Sequence, residues 1–147
     1  MKYQEWEESV PDAIRDDSLW KAKVYRLALF SCKIAWLDVT KLLQDGRTRS
    51  LADQLYRSLG SISANIAEGY SRGTSRERAH FYEYALGSAR EARDWYYKSD
   101  EILPEPVISH RVMLLSEIIR MLLVMIPDQR GKVLKEETIP YEIDPST

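Results

Sequence analysis

The chain has 147 residues, a length that suits a single domain built around one hydrophobic core. Its 21 Lys and Arg against 23 Asp and Glu leave a net charge of −2, without the dense basic stripe of a dedicated nucleic-acid binder. Cys32 is the only cysteine, which excludes an intramolecular disulfide and a thiolate metal cluster and fits a reducing cytoplasm.

The charge is unevenly spread. Residues 1–17 hold Lys2 and Arg15 against six acids, and residues 127–147 hold three bases against five, so the body between them is weakly positive. The opening stretch "MKYQEWEESVPDAIRDD" is acidic and has no apolar run, so it reads as an acidic N-terminal extension and not as a secretory or transit segment.

Residues 18–45 predict the first long helix, with a wide apolar arc through Trp20, Val24, Leu27, Ile34 and Leu42. Asp45-Gly46 is expected to end it, Gly46 acting as a left-handed cap. A second helix over 48–69 starts at Thr48 or at Ser50, which has Asp53 three residues on. Leu51, Leu55, Leu59, Ile62 and Ile66 form its seam, and Gly69 is its expected stop. Thr74 with Glu77 marks the start of a third helix over 75–103. Its seam is expected to run through Phe81, Ala85, Ser88, Ala92, Trp95, Ser99 and Ile102.

Pro104 and Pro106 separate this helix from a fourth over 106–126. In "VMLLSEIIRMLLVMI" (112–126) twelve of fifteen residues are apolar, too many for a helix with half its surface in water. The run is too short for a membrane span and contains Glu117 and Arg120, so a neighbouring subunit is the expected cover for its outer side. Pro127 is expected to stop the helix, leaving 128–147 as an extended or disordered tail. The fold class that follows is all-α: an antiparallel up-and-down four-helix bundle over 18–127 with acidic, partly disordered termini.

Catalytic and cofactor patterns are thin. No glycine-rich segment follows a strand, and neither phosphate-loop spacing occurs. His80 and His110 fall on different helices without a metal-ligand partner at helical spacing, and Cys32 reads as a small core residue. These features predict no enzyme, no metal and no cofactor. The small residues of "GSISAN" and "ALGSA" are expected to let helix backbones approach closely. Beside the leucine seam, Arg57, Ser61, Asn65 and Glu68 form a polar stripe, either solvated or facing a channel or partner. Arg57, Arg72, Arg76, Arg90 and Arg93 are the candidate nucleic-acid contacts, with tyrosines close enough to stack a base; self-pairing with nearby acids is the competing reading.

The stretch "QLYRSLGSISANIAEGYSRGTSRERAHFYEYALGSARE" (54–91) resembles the signature of the four-helix-bundle proteins encoded in intervening sequences of bacterial 23S ribosomal RNA genes. Gln54, Leu55, Arg57, Ser61, Ile62, Ala64, Asn65, Ile66, Ala67, Glu68, Gly69, Phe81, Ala85, Gly87, Ser88 and Glu91 carry the likeness. Ser63 stands where that family usually has proline, and "QDGRTRS" replaces its Pro- and aromatic-containing connector. The resemblance implies a ring-shaped homo-oligomer, a pentamer, with no enzymatic activity. It also implies kinship with accessory proteins of diversity-generating retroelements, which share the fold and bind nucleic acid and a reverse transcriptase. Two functions stay open at this point: binding of RNA or a ribonucleoprotein, and a protein-binding scaffold without nucleic-acid contact.

Overall fold

The computed structural model describes the backbone of residues 1–143 and the side chains of residues 1–131. Within them the chain is helical, with no strand. Two short helices, α1 (Tyr3–Ser9) and α2 (Asp12–Arg15), and a 3-10 turn (Ser18–Lys21) precede four long helices. These are α3 (Lys23–Leu43), α4 (Arg49–Tyr70), α5 (Ser75–Tyr97) and α6 (Glu105–Ile143). Each long helix packs on two others: α3 on α4, α4 on α5, α5 on α6, and α6 back on α3. One core runs through all four, from Val24 and Leu42 through Leu55 and Ile62 to Tyr96, Leu115 and Leu122.

The expected leucine seam of α4 lies in this core: Leu55, Leu59, Ile62 and Ile66 are buried, and Leu51 is half-buried. The α5 seam keeps Ala85 and Ala92 from the expected one and is otherwise shifted by one residue. Ala79, Tyr82, Ala85, Ala89, Ala92 and Tyr96 face inward, whereas Phe81 and Trp95 are only half-buried. Alanines let α5 come close enough for two tyrosines to enter, and each tyrosine has a reason to be there. The Tyr82 ring lies against Gly69, which has no side chain to exclude it, and the Tyr96 hydroxyl finds a buried carboxylate. Helix α5 ends at Tyr97 and not near 103, because the chain turns through Ser99 and sends Leu103 into the core ahead of Pro104.

Several expected helix ends are made differently. No glycine has positive φ, so neither Gly46 nor Gly69 is a left-handed cap. After α3 the Asp45 carboxylate accepts from the Arg47 amide at 2.9 Å, and the Thr48 hydroxyl donates to the Leu42 carbonyl at 2.6 Å. That bond takes the hydroxyl expected to cap α4, which begins at Arg49 without a side-chain cap. Thr74 does cap α5, its Oγ1 accepting from the Glu77 amide at 3.2 Å.

Both acidic termini carry helix among the described residues. Trp6 of α1 is buried against Trp20, Phe30 and Ile34, with Tyr3 edge-on to Phe30 at 5.3 Å, so the N-terminal segment closes over the outer side of α3. Pro127 does not stop the last helix; α6 continues to Ile143. The proline removes one backbone donor, but Leu122 and Ile126 are buried just before it and Arg130 pairs with Glu83 of α5 just after it. The last part of the expected tail, 144–147, lies outside the described residues.

Candidate nucleic-acid interface

The signature segment builds the α4–α5 contact. Asn65 donates through Nδ2 to the carbonyl and the hydroxyl of Ser61, each at 2.9 Å, and the Ser88 hydroxyl donates to Ser61 Oγ at 2.9 Å. The polar stripe of α4 is therefore neither simply solvated nor a row of empty donors at this level. It closes on itself and reaches one residue of α5. Glu68 is exposed and pairs with Arg72 at 3.1 Å. Gly69, expected as the stop of its helix, has a tight packing role instead, and Ala85 and Ala89 of "ALGSA" are fully buried, as close helix packing requires. A Cβ at Gly69 would lie 2.7 and 2.9 Å from the Tyr82 ring and 3.1 Å from Phe81 Cβ. Gly60 and Gly87 have open space where a Cβ would stand, which corrects the expectation that they bring backbones together.

The five candidate arginines do not form one patch. Arg57 is exposed on α4 and pairs with Asp53 at 3.2 Å. Arg90 and Arg93 line a groove of about 330 Å³ with Asp94, Tyr97 and Val112; Arg93 donates to Ser116 Oγ at 3.1 Å. Arg72 and Arg76 line a second groove, of about 520 Å³, at the α4–α5 turn with Glu77, His80, Phe81 and Arg130. There the Arg72 guanidinium sits 4.7 Å from the Phe81 ring centre, held on its other side by Glu68. His80 is exposed, as expected, and hydrogen-bonds the Tyr84 hydroxyl at 2.7 Å.

A buried polar cluster was not anticipated from the sequence. Asp38 of α3 is 4% exposed and accepts from Tyr96 Oη of α5 at 2.7 Å and from Arg111 Nε of α6 at 2.8 Å. Burial, then the Asp38 charge and hydrogen bond, push the Tyr96 hydroxyl well above the usual phenol range. For Arg111 burial opposes the charge, but the hydrogen bond and negative charge of Asp38 outweigh it and hold the guanidinium above its ordinary value. His110 accepts from Arg111 at 2.7 Å and is held below the usual imidazole range, first by burial and then by that guanidinium. The signal was in the spacing: Asp38 stands four residues from Ile34 and four from Leu42, both buried, and so falls on an inward-facing row.

Among the described residues no group of three or more His, Cys, Asp or Glu could hold a metal ion. Nor is any described helix long and apolar enough to cross a membrane. Cys32 is half-buried against the core, and burial pushes its thiol up.

An all-α chain of four long, mutually packed helices, with a small-residue signature on the contact between the second and third, is the class that fold and site define. Within that class, the chain belongs to the 23S rRNA-intervening sequence protein family, whose model matches residues 21–123. That match spans α3, α4, α5 and the apolar part of α6, while the N-terminal aromatic cluster draws Tyr3 and Trp6 from outside it. No curated protein and no solved structure gives a significant match.

Proposed function

We propose that the protein is a non-enzymatic, antiparallel up-and-down four-helix bundle of the cytoplasm that assembles with copies of itself into a ring, a pentamer, and binds RNA or a ribonucleoprotein. The opposed helix directions are supported by side-chain pairs whose numbers rise on one helix as they fall on the next. Ser61 meets Ser88 while Gly69 meets Tyr82, and Arg93 meets Ser116 while Glu83 meets Arg130. The observation that carries RNA binding is the placement of Arg76 and Arg90. Neither has a carboxylate partner among the described residues, and each borders a groove that also holds an aromatic ring. Unpaired guanidinium beside an exposed ring is the chemistry that takes a phosphate and an unstacked base together.

Electrophoretic mobility of a structured ribosomal RNA fragment at two salt concentrations tests this reading. Binding at low salt that weakens as salt rises is the expected result, because phosphate contacts release counterions. No binding at low salt, or binding indifferent to salt, removes the electrostatic mechanism.

Self-assembly is supported by apolar surface that one copy leaves open. On α6, Leu115, Ile118, Ile119, Leu122 and Ile126 are buried within the chain, but Met113 and Val124 are 69% and 72% exposed. Val124 borders an apolar groove of about 440 Å³ with Val24, Met121 and Met125. At the other end of α3, Trp36 and Leu37 are exposed beside the Tyr56 ring of α4. Exposed apolar surface of this kind marks contact with another protein. Light scattering at micromolar concentration is expected to give a mass several times 17.1 kDa, and Val124→Glu to lower it. A folded monomer for the unaltered chain would contradict the assembly.

A further inference from the structure

We infer that the groove at the α4–α5 turn is a single-nucleotide subsite for single-stranded RNA, in which the exposed His80 ring, flanked edge-on by Phe81 and Tyr84, stacks one base and Arg76 meets the adjoining phosphate. This rests on the RNA-binding reading and assigns it a place. Arg76, His80 and Tyr84 stand four residues apart in turn, so they share one face of α5 at one helical turn, roughly 5.4 Å, per step. The order along that face is cation, ring, ring.

The rings form a connected row. The His80 and Tyr84 centres are 4.5 Å apart at 65° and the Phe81 and Tyr84 centres 5.9 Å apart at 78°, so the rings brace one another edge-on and a base stacks on one of them, His80, at the groove. Their positions are fixed by neighbours: the Arg72 guanidinium lies over Phe81, and the Tyr84 hydroxyl bonds His80. A platform held in place before the ligand arrives loses little freedom when a base lands on it.

The charges in the groove select one phosphate. Of the arginines that line it, Arg72 is paired with Glu68 and Arg130 with Glu83. Arg76 is the groove cation left without a carboxylate partner among the described residues, and Glu77 lines the same groove and repels a second phosphate. A duplex offers neither the free base face that the rings require nor a reason for a lone cation to track its backbone. A single-stranded segment, loop or end offers both.

The test uses the full-length protein and a short single-stranded RNA carrying 2-aminopurine, whose emission falls when the base stacks. Binding with quenching is expected. His80→Ala should weaken binding about tenfold and remove most of the quenching. Arg76→Gln should weaken it and flatten the slope of log affinity against log salt by about 0.7. Both positions are exposed, so the fold should survive both changes, and Lys41→Gln on α3, also exposed, should leave the quenching intact. If the unaltered protein binds and quenches but neither variant differs from it, the subsite is elsewhere and RNA binding stands. If the unaltered protein does not bind the single strand at low salt, the subsite falls; loss of binding to structured ribosomal RNA as well would take the RNA-binding reading with it.

Discussion

Asp38→Ala is expected to destabilise the fold by about 3 kcal/mol, with a fall in Tm on the order of 10 °C. The change leaves the Arg111 guanidinium, 17% exposed at its side chain, and the buried Tyr96 hydroxyl without the carboxylate that joins them. Removing one partner of a buried pair leaves the other desolvated and uncompensated, which costs more than the pair itself contributes. That asymmetry supplies the control. Replacing all three together, Asp38→Leu with Tyr96→Phe and Arg111→Met, removes every buried polar group of the cluster and should recover most of the loss. Urea midpoints at one fixed protein concentration, so that the proposed assembly would weigh equally on each, would measure both variants. Equal destabilisation of the single and triple variants would mean that packing shape, and not the orphaned charge, sets the cost.

Gly69→Ala is expected to destabilise by about 1–2 kcal/mol, although alanine is the better helix former by up to about 1 kcal/mol. The new methyl would sit 2.7 Å from a ring carbon of Tyr82. Tyr82 is 4% exposed and lodged in the core, so the ring cannot simply swing into solvent. Overpacking therefore outweighs propensity. At Gly60 and Gly87, also inside helices, a Cβ meets nothing within 4 Å, and the same substitution should stabilise by up to about 1 kcal/mol. Opposite signs for Gly69 against Gly60 and Gly87 in thermal melts are the expected pattern. Stabilisation at all three would show that the α4–α5 contact yields easily at Gly69.

Much of the helical order was legible from residue spacing. The leucine and isoleucine steps of α4 give its buried face directly, and Thr74 announces the start of α5. The 54–91 segment pointed to the family before any coordinate was needed. The α5 face was read one residue out, because Phe81 and Trp95 look more apolar than Tyr82 and Tyr96 to any pattern that counts hydrophobicity alone. What reverses the preference is a missing Cβ on one neighbouring helix and a carboxylate on another. Trp6 was hidden for a similar reason: an acidic stretch with one tryptophan has no periodicity of its own, and only Trp20 and Phe30 give that ring somewhere to go.

The candidate interface was legible as residue types and not as a place. Five arginines were visible, and the Arg57–Asp53 and Arg72–Glu68 pairs stand four residues apart in the sequence, but the Arg93–Ser116 bond and the division of the arginines between two grooves and a separate stretch of α4 depend on helices meeting side by side. By itself the sequence determined that the chain is helical, which face α4 buries and which family it belongs to, because backbone periodicity and local capping act over a few residues. The tertiary structure decided which of three glycines is closely packed, where a buried acid finds its cation and which groove the candidate arginines border. Those outcomes depend on distances between atoms up to 73 positions apart in the chain, which no local pattern encodes.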